Sequence, residues 1–245
     1  MQINTTKTVR ELILEIPGAT RVFEKAGIDY CCGGWRRFQD ACAAASASTD
    51  EVTRWLEQAA ETIVPAPEST DWQTQLLSEL TRHITTKHHA FTREELARIE
   101  TLLSKVCSAH GQNHPELFRI RRLFRDLSQD LIPHMKKEEV VLFPYIEQME
   151  AAVSEGGMLP AAFFGTVQNP IRMMMLDHET AGDILKRIRQ ISAGFLVPED
   201  GCISYETLYK ALDGLERDLH QHIHLENNIL FPRAVALEGS DQDPS

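Results

Sequence analysis

The chain of 245 residues lacks any apolar run approaching the stretch of about 18 residues that marks a membrane-spanning helix. Its opening, MQINTTKTVRELILEI, also lacks the continuous apolar core of a secretion signal, so the expected location is the cytoplasm. Basic residues are in deficit. Against 36 Asp and Glu stand 25 Lys and Arg, and the net charge of −11 argues against a general nucleic-acid binder or a protein drawn to anionic membranes. Cysteine is scarce, with Cys31, Cys32, Cys42, Cys107 and Cys202 forming an odd, scattered set. Such a set does not read as a secreted disulfide framework, and the five are expected as thiols. With 42% hydrophobic residues, the chain still has the material for a full core and a smaller second module.

What the chain does have is one pattern twice: His134-x-x-x-Glu138-x-x-x-Leu142-Phe143-Pro144 and His222-x-x-x-Glu226-x-x-x-Leu230-Phe231-Pro232. On an α-helix a residue and its fourth successor share a face, so each His and Glu can point at one small volume. The repeat extends further, since His178 follows His89 by 89 residues and His222 follows His134 by 88. Each half therefore offers an early His and a later His-x-x-x-Glu pair. Four helices converging on a core site are the simplest architecture with these spacings.

Residues 1–62 read as a small helical module. Thr8-x-x-Glu11 is a capping box that opens a helix through Leu12, Ile13 and Ile16, interrupted by Pro17-Gly18. A helix from about Arg21 to Ala26 should end at Gly27, a third covers Trp35 to Ala45, and Ser48 or Thr49 caps a fourth. Residues 63–71, with Pro65 and Pro67, read as a linker, and 72–245 as the bundle. Its first helix is expected from near Trp72 to about Cys107, its second after Pro115, its third at Asn169-Pro170 and its fourth from about Ser204.

The apolar stripes carry the polar residues inside them. The second helix reads Ile120, Phe124, Leu127, Leu131, His134, Glu138, Val141; the third Ile171, Met174, His178, Ala181, Leu185, Ile188; the fourth Leu208, Leu212, Leu215, Leu219, His222, Glu226, Ile229. In the first helix two phases compete. His88 continues Leu77, Leu80 and Ile84, whereas His89 joins Thr92, Leu96, Ile99 and Leu103, and the half-to-half spacing favours His89. His220 and His224 fall off the fourth stripe. Asp177, Glu179 and Glu139 read as carboxylates that support the ligands from behind or as solvated charges, the second being favoured, and Met173, Met174 and Met175 as packing around His178. Pro133, one residue before His134, should kink its helix.

A single His on an apolar face is most often a core residue with a hydrogen bond. The set has a different meaning, because a buried ionised carboxylate costs several kcal/mol and no Lys or Arg lies on these stripes to compensate. A pair of cations would. Four imidazoles and two carboxylates leave room on two six-coordinate ions for a bridging oxo or hydroxo group and for outside ligands. Mixed nitrogen and oxygen donors suit iron, then manganese, better than a closed zinc site. Cys31 and Cys32, followed by Gly33-Gly34, form a compact thiol pair that by itself is equally consistent with buried, inert cysteines.

Asp29-Tyr30-Cys31-Cys32-Gly33-Gly34 ahead of His134-Met135-x-x-Glu138-Glu139 and Leu225-Glu226-Asn227-Asn228-x-Leu230-Phe231-Pro232 resembles the repair-of-iron-centres family, the iron-sulfur cluster repair di-iron proteins of the ScdA and YtfE type. The resemblance spans almost the whole chain. It implies an all-α fold, an up-down four-helix hemerythrin-like bundle preceded by a small helical domain, in a cytoplasmic protein. It further implies a non-haem centre of two iron ions held by His89, His134, Glu138, His178, His222 and Glu226, which settles His89 against His88. Cys31 and Cys32 match the family's double cysteine, which implies a thiol or iron-relay role. The implied function is repair of clusters damaged by nitric oxide or oxidants, by donating iron rather than by turnover. The implied partners are damaged iron-sulfur proteins, with nitric oxide or oxygen as small ligands. The alternative is a nitric oxide reductase or a nitric oxide or oxygen sensor at the same centre.

Overall fold

The computed structural model describes residues 3–16, 18–61 and 70–239. Among them there is no strand, and no helix is long and apolar enough to cross a membrane. Pro17 and the proline-bearing segment expected as a linker lie outside the described residues, apart from its last two. Two compact units divide the chain: the described residues before 76 together with 223–229, and residues 76–222 with 230–239.

In the first unit, helix α1 (Val9–Glu15) starts at the expected capping box. The Glu11 N–H donates to Thr8 Oγ1, and Thr8 N donates to Glu11 Oε2 at 2.7 Å. Helix α2 (Ala19–Ala26) stops at Gly27, whose φ of 67° is left-handed backbone that glycine adopts without a Cβ penalty. Helix α3 (Phe38–Ala44) starts later than Trp35, because the chain first pairs with the entry to α1: Val9 N donates to Arg36 O and Phe38 N to Lys7 O. Helix α4 (Thr49–Glu61) follows. Leu12, Phe23, Phe38, Cys42 and Leu56 form a small core, which Ile223 joins.

The second unit holds long helices interrupted by wider turns. Helix α5 spans residues 77–110, in which Leu77–His83 and Ala90–His110 flank a π turn at Ile84–His89. Helix α6 spans 116–154, as Glu116–Lys137, a π turn at Glu138–Leu142, and Phe143–Ser154. Helix α7 is Gln168–Ile191, and α8 spans 203–239 with a π turn at Glu226–Leu230. Helix α5 therefore begins after Trp72, at Leu77, and α6 stays helical through Pro133.

Three of the four helices thus carry a π turn at the level of the repeated motif. In α6 and α8 the motif's own proline helps explain it. Pro144 and Pro232 have no N–H and withhold one donor from the preceding carbonyls. In α6 the Phe143 N–H reaches back five residues to the Glu138 carbonyl, the π pattern. Below this level an apolar core of Ile99, Leu103, Phe124, Leu127, Leu185, Leu208 and Leu215 fills the bundle. Each such side chain contributes about 2 kcal/mol relative to exposure, which lets the bundle tolerate polar groups higher in the same seams.

Candidate metal centre

The stripes bring His89, His134, Glu138, His178, His222 and Glu226 together, every one of them buried and both carboxylates fully so. Their donor atoms form two groups, within each of which all atoms lie inside 4.8 Å of one another. One group is His89, Glu138, His222 and Glu226, and the other is His134, Glu138, His178 and Glu226. Both carboxylates belong to both groups. The oxygens of Glu138 divide between them, since Oε2 lies 3.5 Å from His89 Nε2 and Oε1 lies 3.3 Å from His134 Nε2.

Inside each group two ring nitrogens face each other, His89 Nε2 and His222 Nε2 at 3.1 Å, His134 Nε2 and His178 Nε2 at 3.0 Å. The other nitrogens of two of these rings are fixed by carboxylates. His89 Nδ1 lies 2.7 Å from Glu139 Oε1, and Arg93 Nη2 donates to both oxygens of that carboxylate. His134 Nδ1 lies 3.2 Å from Asp177 Oδ2, with Lys137 at 3.7 Å. A carboxylate can only accept, so each Nδ1 donates to its partner and Nε2 is the nitrogen turned toward the other donors. Glu139 and Asp177 thus follow the less favoured of the two readings that their positions allowed, as carboxylates that hold the rings. Their signal in the sequence was one of adjacency: Glu139 follows Glu138, and Asp177 precedes His178.

These residues suit a pair of cations. Two imidazole nitrogens at right angles on one ion, each about 2.1 Å away, stand about 3 Å apart, which is the separation within both His pairs. Nitrogen and oxygen donors with two shared carboxylates match intermediate first-row metals better than calcium, which takes oxygen, or a structural zinc site rich in thiolate.

The remaining histidines have other surroundings. His88 belongs to neither group, and its Nδ1 lies 3.0 Å from Asp218 Oδ1. His224 is buried, with Nδ1 3.0 Å from Asn228 Nδ2, and burial, reinforced by Arg10, pulls its pKa down to about 4.

Cys31 is buried and Cys32 half-buried, both as free thiols with their sulfurs 3.8 Å apart. With Asp29 they make a third group of donors. The neighbouring Cys32 sulfur and burial push the Cys31 thiol up. Their loop is held by the segment 223–229: Asn227 Nδ2 donates to Cys31 O and Asn228 Nδ2 to Tyr30 O, both at 3.1 Å, while Arg10 Nε donates to Asn228 O at 2.8 Å. Sequence reasoning missed these two asparagines, although they stand beside Glu226 in the quoted motif.

Cys202 is the reactive thiol by chemistry. It is exposed, and the Tyr205 backbone N–H together with the His110 ring, 3.2 Å away, holds it at about 7. Half the thiol is then ionised at neutral pH, and the lower nucleophilicity of such a thiolate offsets only part of the gain. At pH 7 iodoacetamide should label Cys202 about threefold faster than an ordinary exposed thiol. The rate should rise through pH 7 and level off above it, and His110→Ala should move that midpoint upward; peptide mass spectrometry reads both.

Residues 80–234 match the model of the hemerythrin HHE cation binding domain, and residues 5–60 match a domain of unknown function, DUF542 (ScdA_N). Fold and donor set together thus define a hemerythrin-like cation-binding bundle behind a small helical domain. Over 228 residues, 93% of the chain, the sequence is 33% identical to proteins named iron-sulfur cluster repair protein YtfE from Enterobacter sp. (strain 638), Citrobacter koseri and Escherichia coli O81, covering 96% of each. The chain belongs to the repair-of-iron-centres family, the iron-sulfur cluster repair proteins of the ScdA and YtfE type.

Proposed function

We propose that this protein repairs damaged iron-sulfur clusters by delivering iron from a di-iron centre held by His89, His134, Glu138, His178, His222 and Glu226. The observation that carries the reading is the division of Glu138, with one oxygen toward each His pair, which is how a carboxylate bridges two ions. Two bound irons would supply a ferrous store with open positions for exchange. The protein's own part is positional. Glu139 with Arg93, and Asp177 with Lys137, orient the His89 and His134 rings, and the apolar seam around the donors limits water. Cys31 and Cys32 add a softer donor pair suited to thiol exchange or to passing iron on. The clients on this reading are iron-sulfur proteins whose clusters have lost iron to nitric oxide or oxidants.

Anaerobically purified protein should contain about two irons per chain, with the Mössbauer signature of a coupled pair, and should restore a damaged hydratase-type cluster. Equal restoration by a protein carrying His134→Ala and His222→Ala would reject donation from this site. Nitrous oxide formed from nitric oxide over many turnovers would make the centre a reductase instead.

A further inference from the structure

One group of polar residues in the second unit is used by neither cation group. His88 is 1% exposed, yet its Nε2 meets no hydrogen-bond partner among the described residues. Its Nδ1 lies 3.0 Å from Asp218 Oδ1, which leaves Nε2 as the nitrogen that a ligand could use. This is the same carboxylate-to-imidazole arrangement that orients His89 through Glu139 and His134 through Asp177. A merely structural ring would be costly here. A buried nitrogen without a partner costs about 1 to 3 kcal/mol, which an apolar ring of similar size would not incur.

The neighbours of His88 define a direction. Its ring stacks on His222, a member of the first cation group, with centroids 5.7 Å apart and planes within 13°. His83 stands edge-on to the same ring at 5.5 Å. His222 and His88 are buried, whereas His83 is only half-buried. Three imidazoles therefore step from the cation group toward the surface. Asp218 lies beside the middle step with Oδ2 also buried and lacking a partner among the described residues, a negative charge where a cation would pass. Burial holds His83 below the usual imidazole range, against the pull of Asp218.

We propose that His222, His88 and His83 form an imidazole ladder by which ferrous iron enters and leaves the buried centre, with His88 Nε2 as the ligand at the middle step. The proposal rests on the reading of the centre as an iron donor. Each step exchanges one neutral nitrogen ligand for another, so iron keeps its oxidation state and no electron moves. Such exchange lowers the barrier for a cation that would otherwise shed its ligands inside an apolar bundle.

The test uses the full chain loaded anaerobically with ferrous iron, as wild type, His88→Phe and His83→Leu. Iron content and Mössbauer spectra are recorded first, then iron loss to an excess of a ferrous chelator is followed by absorbance. Phe keeps the stacking on His222 and removes only the nitrogens. Both variants should reach the iron content of the wild type, though more slowly, and lose iron about tenfold more slowly. Loaded variants that release iron at the wild-type rate or faster would overturn the ladder. Should His88→Phe fail to load, the half-buried His83→Leu protein decides alone. A wild type that holds no iron would instead sink the donor reading, and the ladder with it.

Discussion

Glu138→Gln and Glu226→Gln are each expected to abolish iron binding at both positions at once, whereas His89→Ala is expected to leave about one iron per chain. The asymmetry follows from the donor groups. Each carboxylate belongs to both, while each histidine belongs to one. Iron content by mass spectrometry after anaerobic loading should fall more than about tenfold in either Gln variant. Unfolding would mimic that loss, but stability separates the two. In the metal-free protein neither carboxyl group holds a cation, so the neutral isostere should leave the apoprotein's melting temperature no lower than that of the wild type. Ferrous iron should raise the melting temperature of the wild type and leave that of the Gln variants unchanged. A Gln variant that keeps half the iron, as His89→Ala should, would mean that the carboxylates do not bridge.

The contest between His88 and His89 shows how far the sequence could be read. Leu77, Leu80 and Ile84 keep one helical phase, and Thr92, Leu96, Ile99 and Leu103 keep another, one residue apart. A regular helix cannot bury both sets along one seam. The structure does so through the π turn at Ile84–His89, which makes the step from Ile84 to His89 five residues long. The mismatch was thus the signature of the wider turn rather than an ambiguity between two histidines. The same insertion explains Val141. Regular periodicity placed it on the second stripe, but after the turn at Glu138–Leu142 it is half-buried, and Leu142 and Phe143 take the buried positions. Periodicity reveals which residues share a face as long as the helix keeps 3.6 residues per turn, and here it departs from that at the donors themselves.

The carboxylates beside the donors were less legible, for a different reason. Glu139 and Asp177 lie off the apolar stripes and are partly exposed, so burial patterns cannot separate them from solvated charges. Their partners sit 50 and 43 residues away, and only the packed bundle brings them together. The two asparagines share this limit. Nothing local in Asn227 or Asn228 announces that their amides reach carbonyls almost 200 residues earlier.

Gly34→Ala should loosen the cysteine loop, because that reach leaves no space for a methyl group. A Cβ on Gly34 would lie 2.4 Å from Asn228 Oδ1 and 3.1 Å from Tyr30 O. The end of a side chain can often move aside, but this amide is fixed, with Nδ2 shared between Tyr30 O and His224 Nδ1. The loop is no freer, since Arg10 N donates to Gly34 O at 2.8 Å. Relief must therefore break hydrogen bonds or shift backbone, at about 2 kcal/mol. Cys31, buried in the native loop, reports the opening: a cost of that size raises its alkylation rate about 30-fold under conditions where opening is fast. Asn228→Ala should also speed alkylation, because it removes the amide that donates to the Tyr30 carbonyl. Together the two substitutions should fall well short of the product of their separate effects, since removing the amide removes the clash. Rates that simply multiply would show that Gly34 and Asn228 act independently, and that the asparagine does not clamp the loop.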